Sequence, residues 1–161
     1  MNQALLQTLT PKQLLKLTGE VIDALRSRGI ARTGNNPLAD YTEWLVATCF
    51  GWELVDSSVQ GYDAIDRATG TRYEIKGRRI TPQNNSRQLS AIRNIEGYHF
   101  HFLIAVVYDQ DFEILRALKI PHEVVQRIGK HSNHTNSLIL HARDGLLDQS
   151  GVEDITSQFK I

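Results

Sequence analysis

The chain has 161 residues with 18 Lys+Arg against 18 Asp+Glu, so its formal net charge is zero; 41% of residues are hydrophobic and 22% charged. That balance excludes disordered, collagen-like and coiled-coil classes and points to one globular domain able to bury a real core. No apolar run approaches the ~20 residues of a membrane span, the N-terminal residues lack a basic flank followed by an apolar core, and Cys49 is alone. A cytoplasmic protein without membrane contact or internal disulfide is expected.

In chain order, Thr10-Pro11-Lys12-Gln13 reads as a helix start, with a hydroxyl cap, Pro at the first helical position and Gln at the third. Leu14, Leu15, Val21, Ile22 and Leu25 recur at helical spacing up to Gly29, which predicts a packing helix of about 17 residues. Asn36-Pro37 opens a second helix reaching Phe50, where Gly51 stops it. Its apolar stripe is expected through Leu38, Tyr41, Leu45 and Cys49, with Glu43 far round the wheel. Short β-like runs follow at 52–55, 62–67, 72–78, 98–108 and 112–119, with Ala68–Thr71 as a tight turn. Ser86–Asn94 reads as a short helix between strands. Beyond Pro121 a helix to about 128, an apolar run at 137–141 and a short terminal helix are expected. The chain thus divides into an N-terminal helix and loop (1–36), a core (37–119) and a C-terminal extension (120–161) of a single domain, with a mixed central sheet flanked by helices.

Chemistry concentrates between Gly61 and Arg79. Side chains alternate along a strand, so Glu74 and Lys76 share a face. A hairpin folded about Thr69-Gly70 would put Asp63 opposite Lys76 and Ile65 opposite Glu74, gathering Asp63, Glu74 and Lys76 on that face. Two carboxylates suit a hard cation such as Mg²⁺, which keeps several of its waters, and the lysine suits a water nucleophile or a phosphoryl oxygen. A salt-bridged ladder is the plain structural alternative. Within residues 72–93, Arg72, Lys76, Arg78, Arg79, Arg87 and Arg93 face Glu74 as the only acid, a local basic excess in a neutral chain.

Asp63, ten intervening residues, then Glu74-Ile75-Lys76, preceded by an acid on a helix, resembles the signature of the PD-(D/E)XK nuclease superfamily, with Tyr62 at the proline position. The resemblance implies a restriction-endonuclease-like α/β fold and a metal-dependent DNA endonuclease. In it Asp63, Glu74 and the main chain of Ile75 are metal ligands, Glu43 is an auxiliary acid and ligand, Lys76 is the catalytic lysine, and Mg²⁺ is the cofactor with Mn²⁺ as substitute. Arg78, Arg79, Arg87, Gln88 and Arg93 are then candidates for contact with DNA, and a homodimer is expected because so short a chain leaves little room for a recognition domain. An inactive DNA- or protein-binding module of the same fold and an RNA-directed nuclease are the alternatives. His99, His101 and the 131–134 loop suggest zinc only weakly, since no cysteine or close acid completes a tetrahedral set. No glycine-rich phosphate loop calls for an organic cofactor.

Overall fold

In the computed structural model, residues 3–56, 61–133 and 136–160 are described. The chain divides into two compact units, with the boundary in sequence after Tyr41. In the first, helix α1 (Gln3–Gln7) precedes α2 (Pro11–Ser27), whose capping box is complete: Thr10 Oγ1 accepts from the Gln13 N–H and the Gln13 carboxamide oxygen accepts from the Thr10 N–H. Gly29, at φ 70°, ends α2 in the left-handed region that glycine enters without strain. The helix has its expected 17 residues, but none is buried, so the expectation of a packing helix is not met. In the loop that follows, the Asp40 carboxylate accepts from the N–H groups of Arg32 and Thr33.

Helix α3 (Leu38–Phe50) starts where Asn36 Oδ1 accepts from the Leu38 N–H and stops at Gly51, φ 68°. Its buried positions are Asp40, Thr42, Glu43, Leu45, Val46 and Ala47, so of the expected Leu38–Tyr41–Leu45–Cys49 stripe Leu45 is buried while the other three are half-buried, and the buried face turns toward Thr42, Glu43 and Val46. In the second unit, β1 (Glu53–Leu54), β2 (Ala64–Asp66), β3 (Thr71–Arg79), β4 (Phe102–Tyr108), β5 (Ile114–Pro121) and β8 (Glu153–Asp154) form a six-stranded mixed sheet in the order β1-β2-β3-β4-β5-β8. Among the described residues the β3–β4 pair is parallel and the other four pairs of this sheet are antiparallel. The sequence FLIAVVY of β4 is almost wholly buried, as a central strand covered on both faces requires.

Each face of the sheet has its own cover. On one, Gly77 lets α3 approach so closely that a Cβ there would lie 2.2 Å from Thr42 Oγ1, and Tyr108 Oη donates to the same hydroxyl at 3.2 Å. On the other, Leu103, Ala105 and Val107 of β4 pack with Leu89, Ile92, Leu138 and Leu140. Leu89 and Ile92 belong to the 86–94 segment, and this is not a helix. It runs extended beside 138–142, with Leu89 N–H bonded to Leu140 O and Ile92 exchanging both main-chain bonds with Leu138. The 120–161 segment is likewise no appendage. It contributes α4 (His122–Ile128), the hairpin of β6 (Lys130–Ser132) and β7 (Ser137–Ile139), the edge strand β8, and buried Leu146 and Ile155; the expected terminal helix is only a 3-10 turn at Thr156–Gln158.

Candidate active site

The site is set by the β2–β3 hairpin. Observed pairs are Ala64↔Tyr73, Ile65↔Arg72 and Asp66↔Thr71, two residues in register from the expected pairing. The cause is the turn: the Asp66 carboxylate accepts from Ala68 N–H and Thr69 Oγ1 while Gly70 N–H bonds Asp66 O, so the chain reverses one residue earlier than a turn centred on Thr69-Gly70. A shift of two preserves strand parity, so the same three side chains still converge. Asp63 now sits beside Tyr73–Ile75 instead of across from Lys76: its N–H bonds Tyr73 O and its Oδ2 accepts from Ile75 N–H at 2.7 Å. Because the N–H and C=O of a strand residue point the same way, the Ile75 carbonyl is directed to the Asp63 side as well.

Glu74 and Lys76 project to the face shared with Leu103 and Ala105, and Lys76 Nζ lies 2.5 Å from Glu74 Oε1. Both side chains are mostly buried, at 12% and 17% exposure. Burial pulls the Lys76 ammonium toward a lower pKa, but the charges of Glu74 and Asp63, the Glu74 hydrogen bond and the charge of Glu43 together outweigh it and hold the group above the ordinary lysine value. Glu43, 9% exposed, is therefore a neighbour of Lys76. The α3–β3 approach at Thr42 and Gly77 brings the adjoining residues Glu43 and Lys76 into the same region, although the Lys76 side chain projects to the opposite face of β3 from Gly77.

Asp63, Glu74 and Lys76 line one open cleft of about 350 Å³ with Gly61, Ser90, Ala91, Arg93 and Asn94. Gly61 is required twice: its φ is 101°, and a Cβ would meet His99 Cβ at 2.3 Å. Among the described residues no three His, Cys, Asp or Glu side chains gather as a metal-binding cluster, and Glu43 is not among the residues that line the cleft. Two carboxylates and a directed carbonyl beside an open cleft still match what Mg²⁺ needs, because that ion is commonly held by one or two carboxylates and its own waters.

The basic residues separate into two groups. Arg93 lines the cleft. Arg78 does not; its Nε donates to Ser86 O at 2.7 Å and its Nη2 to Asn84 Oδ1 at 3.1 Å, which staples the 81–86 loop to β3. Arg79 donates to Gln110 O and lies over the Phe112 ring, 4.8 Å from its centroid. Arg87 pairs with Asp144 at 3.5 Å, and Gln88 is exposed opposite His141. Sequence spacing missed Ser90 and Asn94, whose place at the cleft depends on the 86–94 segment being extended.

The histidines have separate structural settings. His101 Nδ1 accepts from Arg72 N–H, and His99 is wedged between Gly61 and Gly97. His131 Nδ1 bonds the Asn133 carboxamide, and His134 lies outside the described residues. Trp52 stacks on Tyr73 with ring centroids 3.6 Å apart, a packing role. No helix among the described residues is long and apolar enough to cross a membrane. No protein-family model and no curated protein matches the chain.

Proposed function

We propose that the protein is a metal-dependent endonuclease that hydrolyses DNA phosphodiester bonds. The observation that carries this reading is the convergence of Asp63, Glu74 and Lys76 in one open cleft that Arg93 also lines. Asp63, Glu74 and the Ile75 carbonyl would hold Mg²⁺, or Mn²⁺ in its place. When bound, the ion polarises the phosphoryl oxygen and lowers the pKa of coordinated water. Lys76 contributes a buried, compensated positive charge: it orients the attacking water and offsets negative charge that develops on the phosphoryl oxygens. Glu74 and Asp63, with a smaller contribution from the charge of Glu43, keep that ammonium charged. Arg93 binds the phosphate next to the scissile bond, and Ser90 and Asn94 offer hydrogen bonds to the same backbone. Water attacks phosphorus, one P–O bond breaks, and the departing sugar oxygen leaves protonated.

A restriction-endonuclease-like fold is supported by the order of helix, antiparallel hairpin and parallel partner strand, with the acid-x-Lys pair on the second hairpin strand. An inactive binding module of this fold has no need for all three site residues. The test is incubation of linear, supercoiled, branched and single-stranded DNA, and of RNA, with Mg²⁺ or Mn²⁺. Metal-dependent DNA cleavage that is lost in Asp63→Asn, Glu74→Gln and Lys76→Ala is the expected result. Binding without cleavage of any substrate would favour the module, and cleavage of RNA alone the RNA-directed enzyme.

A further inference from the structure

The 86–94 segment that walls the cleft continues into a ribbon. It lies beside 138–142, and β7 pairs in turn with β6, with Lys130 opposite Ile139. Along this middle strand the side chains alternate: Leu138, Leu140 and Ala142 are buried against the sheet, so Ile139, His141 and Arg143 point the other way. Gln88 is paired with His141 and Lys130 with Ile139, which places both on that same outward face. The Arg143 N–H bonds His141 O at 2.8 Å, a tight turn that keeps the two side chains adjacent.

Lys130, His141 and Arg143 line a pocket of about 330 Å³ with an apolar floor that includes Leu140 and Leu146. Lys130 and Arg143 are exposed, and neither is paired with a carboxylate among the described residues. The nearest acid in sequence, Asp144, is already held by Arg87 and Arg116. Two uncompensated cations and an imidazole around a concave surface bind an anion with several oxygens. Lys130, opposite Ile139, lies two strand spacings, about 10 Å, from the 86–94 segment at the level of Ser90, and His141 and Arg143 lie on the strand between, toward Arg87.

We propose that this pocket is a second backbone-binding subsite, in which Lys130, His141 and Arg143 hold a phosphate of the duplex DNA whose neighbouring segment enters the cleft. The inference rests on the nuclease reading for its ligand, and its test is independent of cleavage. Binding of a fluorescein-labelled 30-base-pair duplex is measured by anisotropy in EDTA over a salt series, for the wild-type protein and for a Lys130→Ala/Arg143→Ala variant. Loss of this phosphate contact is expected to lower the slope of log K against log salt by about 0.9, with affinity down at least tenfold at low salt. Thermal unfolding should be unchanged because both side chains are exposed. Glu74→Gln, which removes cleavage, should keep the wild-type slope. An unchanged slope in the double variant would overturn the subsite even if the wild-type enzyme cuts DNA; a reduced slope with no cleavage by any form would retain the subsite and overturn the nuclease. Failure of the wild-type protein to bind duplex DNA would overturn the subsite, as would inorganic phosphate competing for the pocket with no change in the DNA slope.

Discussion

At the residue scale, a 2.5 Å contact between Glu74 and Lys76 and a 2.7 Å bond from Ile75 N–H to Asp63 determine what the cleft can do. Removing the Lys76 ammonium by Lys76→Ala takes away charge stabilisation aimed at the phosphoryl group and should lower the cleavage rate by about 10²–10³, with DNA affinity in EDTA nearly unchanged. Single-turnover cleavage and anisotropy separate the two effects. Arg78 behaves in the opposite way. Its guanidinium is spent on Ser86 O and Asn84, so Arg78→Ala should destabilise the fold by about 1–3 kcal/mol in urea unfolding while the salt slope of DNA binding stays as in the wild type. Gly77 tests the helix–strand contact behind the site: Gly77→Ala drives a methyl into the buried Thr42 hydroxyl and should cost about 1–3 kcal/mol. Combining it with Thr42→Ala should recover part of that loss, a non-additivity visible in a double-mutant cycle.

At the element scale, helix ends and hairpins were legible wherever a local signal fixed them. The capping box, Asn36 and the glycines at 29, 51 and 70 mark real boundaries, because each acts through its own backbone or a bond within three residues. Ser86–Asn94 failed for the converse reason. Leu89 and Ile92 have helical spacing, but a nine-residue helix is marginal alone, and the main-chain bonds offered by Leu138 and Leu140 decide the conformation. No spacing within the segment reveals a partner about 50 residues away. The edge strand β8 gives a pH test. The Thr156 hydroxyl and N–H, and then Arg116, hold the Asp154 carboxyl below its usual range. A depressed folded-state pKa contributes stability above the unfolded value of about 3.9 and loses it as pH falls through the folded value. Asp154→Asn should therefore lose less stability than the wild type between about pH 5 and pH 2, read by urea unfolding.

At the scale of the whole molecule, zero net charge conceals a division of labour among cations. The basic cluster at 72–93 was evident in the sequence, yet four of its arginines (72, 78, 79 and 87) are engaged within the protein. Arg93 at the cleft and Lys130 and Arg143 at the ribbon are exposed, and the last two lie outside the 72–93 cluster, in an acid-free stretch between Glu123 and Asp144. Strand pairing across the ribbon assembles them, which is why the site triad could be read from Asp63 to Lys76 while the surrounding surface could not. The parity of a strand survives a two-residue slip, and that alone kept Asp63, Glu74 and Lys76 together in the sequence reading. The central claim is tested most directly by incubating supercoiled plasmid with the purified wild-type protein and its Glu74→Gln variant, each with Mg²⁺ and with EDTA. Nicked or linear product from the wild type in Mg²⁺ alone is predicted; equal cleavage by Glu74→Gln, or cleavage that persists in EDTA, would contradict it.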